Sequence, residues 1–587
     1  MSDGSQADKS GKWWQGRATH SQPQAACDLP SPFVEYSYGD YGSQWGPSPK
    51  TLAELRMYEL SWVLRSKSDW QRKASDAPIL SKWRTEVLEQ QKSLPQDQQL
   101  SEKMVDYVLA ELTGYANIAD NERGIERGCF DAIWYSDRLI PGDLAERLKS
   151  AAAALEDVPE NEKDWHPGSH GQVLDLVHPS LYCIVYGRTH AYLPDEPRIQ
   201  ENLLLVPNPA PTDTDPDRDW AISKEFCWMP SDFAVLTDGS VKLVSPYINN
   251  LHPSKHRLLY RVIEEVLRGF IPMFERVLGE IDKERRYLAL KERCRMDNLA
   301  CIWPNGEQPY DPDLEDELGE AGWIEYCESL KKLPDASTYA GELEKVLSQV
   351  LTPISLRGRT LQCIIKLANI HLSPEQPKYA GGSWHVEGMM NENIVASGIY
   401  YYDEENITES RLAFRVPTEE PEYHCQDDSE CMGILYGMDR DEDCVQEIGS
   451  MVTKAGRALS WPNLYQHRVS PFELADATKA GHRKILAIFL VDPTVNPIAS
   501  ATTDIPPQQA DWTGADTLQE LLSDPQSLIS RLPQELADMI KDRLLPMTLT
   551  RDEAEAYRLQ LMKERTAFVS THTETTYHTL KFNMCEH

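Results

Sequence analysis

The stretch GGSWHVEGMMNENIVASGIYYYD, residues 381–403, decides how this chain is read. His385 and Glu387 stand two apart in an aromatic-rich segment expected to be extended. On a strand, side chains two apart point to the same face. One neutral imidazole and one carboxylate on one face supply two of the three ligands of a facial metal site. His-x-Glu alone arises by chance in many chains, so its partners further along matter. His467 lies in NLYQHRVSP, and Arg483 stands near the head of the apolar run GHRKILAIFLVDP.

Size and charge bound the answer. A chain of 587 residues exceeds one ordinary core, so two to four structural units are expected. Apolar residues make up 41%, with 15 Trp and 25 Tyr, which is ample for packed cores. The 59 basic and 93 acidic residues leave a net charge of −34, which disfavours phosphate backbones and anionic lipid as partners. The opening MSDGSQADKSGKWWQG lacks the apolar core of a signal peptide. ILAIFLV is far shorter than the roughly 20 residues a membrane helix needs. A cytoplasmic protein is therefore expected, with the nucleus equally open. The 12 Cys include no CxxC pair, and the grouping of Cys425, Cys431 and Cys444 matches no common zinc spacing, so reduced, structural thiols are expected.

Along the chain, residues 1–30 are polar and read as a disordered tail. Residues 31–345 form a helix-rich region with some strands. Leu52, Leu55, Tyr58 and Trp62 recur at helical spacing, and Ser101 is a natural N-cap for SEKMVDYVLAELTGYA. His166, His170 and His178 fall in HPGSH and VHPS, which read as turns, so these imidazoles are assigned loop and packing roles. FAVLTDGSVKLVSPYI is a hairpin turning at Asp238-Gly239. Leu259, Ile263, Leu267, Phe270, Phe274 and Leu278 mark a long amphipathic helix with a kink expected before Pro272. The acidic PYDPDLEDELGEAGWIEY reads as a solvated connector. Strands dominate residues 346–500, and residues 501–587 form a C-terminal helical extension. An acidic insertion, PTEEPEYHCQDDSECMG, separates Glu387 from His467 and carries His424 as a lesser ligand candidate. Its charge suits a small cationic or polyhydroxylated substrate, although solubility explains it equally.

His385, Glu387 and His467 are the residue types that hold ferrous iron while leaving about three cis positions open. A dicarboxylic co-substrate then needs a fixed cation, and the flat fork of Arg binds a carboxylate bidentately. Arg483 fits, sharing one strand face with Ile485, Ala487 and Phe489. Lys366, in CIIKLANIHL, is the alternative anchor, because a Lys within an apolar strand is rarely buried unpaired. The order His-x-Glu, distant His, then Arg resembles the layout of Fe(II)/2-oxoglutarate oxygenases. Trp384 and Trp461 flank the candidate ligands and could wall a pocket or simply pack.

The blocks KLANIHLSPEQPKYAGGSWHVEGMMNENIVASGIYYYDEENITESRLAFR, WPNLYQHRVSPF and GHRKILAIFLVDP look like the signatures of a large fungal family catalogued as domain of unknown function 4246. HPGSHGQVLDLVHPSLYCIVYGRT, WMPSDF and SPYINNLHP resemble it too. The family pattern is similar to that of the 2-oxoglutarate oxygenases. It implies an α+β protein with a double-stranded β-helix (jelly-roll, cupin-like) core over residues 346–500 and extensive flanking helices. It further implies His385, Glu387 and His467 as iron ligands, and Arg483 as the 2-oxoglutarate anchor. Glu stands where Asp is usual, and the His-to-Arg gap is longer than in prolyl-hydroxylase-like enzymes. The expected function is an iron dioxygenase that uses O2 to hydroxylate a small molecule. Three alternatives stay open: a Jumonji-like protein side-chain hydroxylase or demethylase, a non-catalytic cupin-like binding protein, and a cupin-like isomerase.

Overall fold

Capping and apolar periodicity set the first helices. Thr51 accepts the Glu54 N–H and starts α1 (Leu52–Arg65), and Ser101 accepts the Met104 N–H and starts α2 (Glu102–Ile118), as its N-cap position predicted. Helix α3 covers Gly142–Glu156 and α4 covers Arg257–Ile281. All six residues of the predicted α4 stripe are at most 1% exposed. The helix runs through Pro272 as one element, and Arg276 Nη1 donates to the Pro272 carbonyl at 2.8 Å. The computed structural model describes residues 29–33, 47–192, 197, 202–208, 216–282, 295–296, 301–304, 306, 308–345, 354–421, 428–495, 498–499, 504–513, 521–544, 547–578 and 580–583. Of the tail expected over residues 1–30, residues 1–28 lie outside them, as do His424 and Cys425.

The main sheet is antiparallel and nine-stranded. Its strands are β1 (Glu126–Arg127), β2 (Trp134–Ser136), β3 (Val173–Val177), β4 (Ser231–Val235), β5 (Val241–Leu243), β6 (Arg359–Leu372), β7 (Ile394–Glu405), β10 (Ala458–Pro462) and β12 (Gly481–Val491). Their order is β1-β2-β10-β7-β12-β6-β4-β5, with β3 also paired to β6. The predicted hairpin at Asp238-Gly239 is β4–β5, and Gly239 supplies the positive φ of +83° that its turn needs. The second sheet has three strands, β8 (Ser410–Pro417), β9 (Val445–Thr453) and β11 (Gln466–Val469), in the order β9-β8-β11. Strands from residues 126–243 thus extend the same sheet as β6, β7 and β12.

Period-two alternation divides the core into two layers. Leu486, Ile488 and Leu490 of β12 pack with Leu267, Phe270 and Phe274 of α4. Ala487, Phe489 and Val491 face the other way, joining Ile364, Tyr401, Phe414, Met451 and Trp461 between the two sheets. Helix α4 comes so close to β7 that a Cβ at Gly398 would sit 2.8 Å from the Phe270 ring.

The acidic stretch expected to be a connector is instead helical, α5 (Pro312–Leu330), interrupted at Gly319 (φ +71°) and with no buried residue. Asp311 caps it through the Leu314 N–H at 3.1 Å. Its Glu, Leu and Ala content favours helix, and solvent satisfies the charges. The last long helix, α6 (Arg551–His572), buries Ala554, Leu561 and Phe568. Among the described residues, no helix is long and apolar enough to cross a membrane.

Candidate functional site

Residues 381–388 do not form the expected strand. Gly381 (φ +90°) and Gly388 (φ +72°) take conformations that break a ladder, so the segment runs as an extended loop. A single antiparallel bridge pins it: His385 N–H donates to the His467 carbonyl at 3.2 Å, and His467 N–H donates back at 3.0 Å. Asn463 clamps the next turn, accepting the Glu387 N–H and donating to the Glu387 carbonyl, both at 2.8 Å. The same-face geometry predicted for a strand is thereby achieved without one.

The three side chains converge. One ligand atom from each of His385, Glu387 and His467 lies within 4.8 Å of the others. Glu387 Oε1 is 3.4 Å from His467 Nε2 and 3.8 Å from His385 Nε2, and the imidazole centroids are 4.4 Å apart. The side chains of His467, Glu387 and His385 are 4%, 12% and 35% exposed, so the group opens to solvent on the His385 side. His385 Nδ1 lies 2.9 Å from the Ser383 carbonyl. A carbonyl only accepts, so the proton sits on Nδ1 and Nε2 keeps its lone pair. The His467 ring is held by packing instead: Trp461, fully buried, meets it edge-on at 4.9 Å, while its Nδ1 is buried without a partner.

Electrostatics favour a cation here. Burial works to raise the Glu387 carboxyl, but the His467 hydrogen bond and both imidazoles outweigh it and hold the group at about 2. Burial and the adjacent His467 lower His385 to about 4. Two neutral imidazoles and one carboxylate are the donor set a divalent metal of intermediate softness requires.

Arg483 and Lys366 both sit on the face of the main sheet that meets the second sheet, in register with Ile370 and Ala487 respectively. Arg483 is 2% exposed. It donates to the hydroxyls of Ser410 and, at 3.4 Å, Thr453, and its guanidinium faces Phe472 and Tyr401 at 4.9 and 5.6 Å. Its Nε is buried without a partner, and no carboxylate among the described residues lies within ion-pair distance. Burial lowers its pKa. Lys366 likewise has no ion pair among the described residues, and its charge reaches both Glu387 and His385. Lys484 takes the opposite face, as alternation predicted, and pairs with Glu156 at 2.7 Å.

A cavity of 780 Å³ opens beside His385, and α6 supplies much of its far wall. Two of the three histidines expected to pack in loops, His166 and His178, also line it. His166 Nδ1 lies 2.7 Å from Asp175 Oδ2, and His178 completes a second group of three possible ligands. His178 Nδ1 accepts the Ser180 N–H at 3.2 Å, which places the proton on Nε2 and makes that nitrogen a poor ligand. The sequence held one overlooked signal, an aspartate inside the apolar strand VLDLV. A third grouping, Cys301, Asp428 and Cys431, lies by Trp303, whose Nε1 donates to Asp428 at 2.8 Å. Cys444 packs elsewhere, with Met432 and Phe582.

Buried neutral imidazoles have a measurable consequence. Desolvation lowers His178 to about 3 and His572 to about 4, against about 6.5 unfolded. Below pH 6.5 the unfolded chain therefore binds protons that the folded one does not, and stability falls as pH drops from 6.5 towards 4. His572 stacks on Phe568 at 5.7 Å. His572→Phe keeps a ring there and should remove about 2 kcal/mol of the loss between pH 7.5 and 5. Urea unfolding at the two pH values checks this, and an unchanged pH dependence would contradict it.

The sequence matches a family model described as protein of unknown function (DUF4246) over residues 102–516, and its N-terminal domain model over residues 12–86. No curated protein matches it. Among solved structures, the chain is similar to the Fe(II)/(alpha)ketoglutarate-dependent dioxygenase TqaL at 9% identity and TM-score 0.21, covering 46% of this chain and 70% of that one. It is also similar to IDO from Bacillus thuringiensis (10%, TM-score 0.15, covering 27% and 61%) and to AviO1 from Streptomyces viridochromogenes Tue57 (16%, TM-score 0.14, covering 36% and 97%). Scores this low carry no argument about the reaction.

Proposed function

The chain belongs to the DUF4246 family, and on that footing we propose that it is an Fe(II)- and 2-oxoglutarate-dependent oxygenase acting on a small molecule. One observation carries the reading: His385, Glu387 and His467 converge with no fourth ligand in their group among the described residues, while a buried guanidinium without a carboxylate partner among those residues lies in the same inter-sheet core. In this reading the two facing sheets form a double-stranded β-helix. His385, Glu387 and His467 would hold iron, and Arg483 the far carboxylate of 2-oxoglutarate, with Lys366 as the alternative anchor. When bound, iron, 2-oxoglutarate and O2 supply the oxidising power for an unactivated C–H bond, releasing succinate and carbon dioxide.

The chain's own residues prepare and shield that chemistry. Ser383 fixes the His385 tautomer so that Nε2 faces Glu387, and Trp461 fixes the His467 ring. Glu387 contributes the single negative charge at neutral pH. Helix α6 lines the cavity beside His385 and is itself anchored. Arg558 grips Asp164, Arg565 pairs with buried Glu392, and Glu564 accepts from Ser223. A wall held this firmly favours a small molecule over a protein side chain. The test is anaerobic titration with ferrous iron and then 2-oxoglutarate. A weak visible charge-transfer band is expected only when both are present. Its absence would favour a binding protein or a metal-dependent isomerase.

A further inference from the structure

The cavity beside His385 contains an arginine with no ion-pair partner among the described residues. Arg415, on β8, lines this cavity together with Trp384 and His385. Its Nε donates to Gln466 Oε1 at 2.8 Å, and its two Nη groups make no hydrogen bond to the described residues. Among the described residues no carboxylate lies within ion-pair distance, although acidic residues outnumber basic ones by 93 to 59. The neighbouring acids are already engaged: Glu447 pairs with Arg468 at 3.5 Å, and Asp443 pairs with His578 and Lys581. Glu574, also on the cavity, accepts from Ser570 at 3.3 Å. Burial lowers the pKa of Arg415, outweighing the more distant charges of Glu447 and Asp443.

Its pose is fixed as well as unpaired. The guanidinium lies over Trp384 and Tyr577, 4.9 Å from each ring centroid. Arg468 also stacks on Trp384, at 4.4 Å. Aromatic faces and the Gln466 bond therefore hold the planar group while its Nη edge stays free, the arrangement that suits bidentate binding of a carboxylate. Trp228 and Leu561 add apolar wall to the same cavity. In a protein of net charge −34, such a point offers an anion a local cationic partner.

We infer that the substrate is an organic acid with an apolar body, and that Arg415 binds its carboxylate while the rest of the molecule extends towards His385. This rests on the oxygenase reading for the word substrate, and it replaces the cationic or polyhydroxylated ligand suggested by the acidic insertion. Phenylacetate, phenylacetamide and phenethylamine share an aromatic body and differ in charge, so they serve as probes by calorimetry on the iron-free protein. Phenylacetate should bind about tenfold or more tightly than the other two. Arg415→Gln should abolish that preference, Arg415→Lys should keep part of it, and Arg483→Gln should leave it in place. Equal binding of the three, no binding of phenylacetate, a preference that survives in Arg415→Gln, or its loss in Arg483→Gln would each overturn the inference. Because this preference is read without iron, a missing iron–oxoglutarate band would defeat the oxygenase reading and leave the acid site standing.

Discussion

His385→Ala is expected to weaken ferrous-ion binding and to cut uncoupled succinate formation by more than about a hundredfold, while the chain stays folded. The size of the effect follows from geometry. With His385 gone, Glu387 and His467 remain as two donors, and two donors hold ferrous iron weakly in water. His385 is also the most exposed of the three, at 35%, so its loss opens little cavity in the packed core. His467→Ala should lose metal equally but also cost stability, because that ring is 4% exposed and packs on Trp461. Metal content of the purified variants, read beside their unfolding curves, separates the two effects. Full iron occupancy in His385→Ala would rule out its role as a ligand.

Arg483→Ala is expected to raise the 2-oxoglutarate concentration for half-maximal turnover by about ten- to a hundredfold, the worth of a charge-assisted hydrogen bond in a buried site. The residue already forgoes any protein carboxylate, and the Ser410 and Thr453 hydroxyls only aim it. Along an antiparallel ladder, Arg483 stands opposite Ile370, four positions from Lys366, or roughly 13 Å. The two cations leave the ladder at different positions, so their variants should differ. If Arg483→Ala leaves the requirement unchanged and Lys366→Ala raises it, the anchor is Lys366.

The parts of the site that were legible in the sequence are those carried by regular strands. In β12 the alternation of Arg483, Ile485, Ala487 and Phe489 against Lys484 and Leu486 was readable from spacing alone, because a strand's period is fixed. His467 was placed by the same logic on β11. His385 and Glu387 were correctly put on one face but wrongly put in a strand. Glycine conformations at 381 and 388 decide that, and they depend on the contacts of the folded chain. His166 meets Asp175 across a local reversal in which Trp165 bridges Leu174; the turn signal in HPGSH is readable, but the register that brings these two side chains together is not. Helix α6 was readable as a helix, whereas its place as a cavity wall comes from pairings such as Arg558 with Asp164, nearly 400 residues apart in sequence.

The most direct measurement is an anomalous-scattering map of crystals loaded anaerobically with ferrous iron. The account predicts one strong peak within about 2.3 Å of His385 Nε2, His467 Nε2 and a Glu387 oxygen. A principal peak at His166, Asp175 and His178, or no peak at the first position, would contradict it.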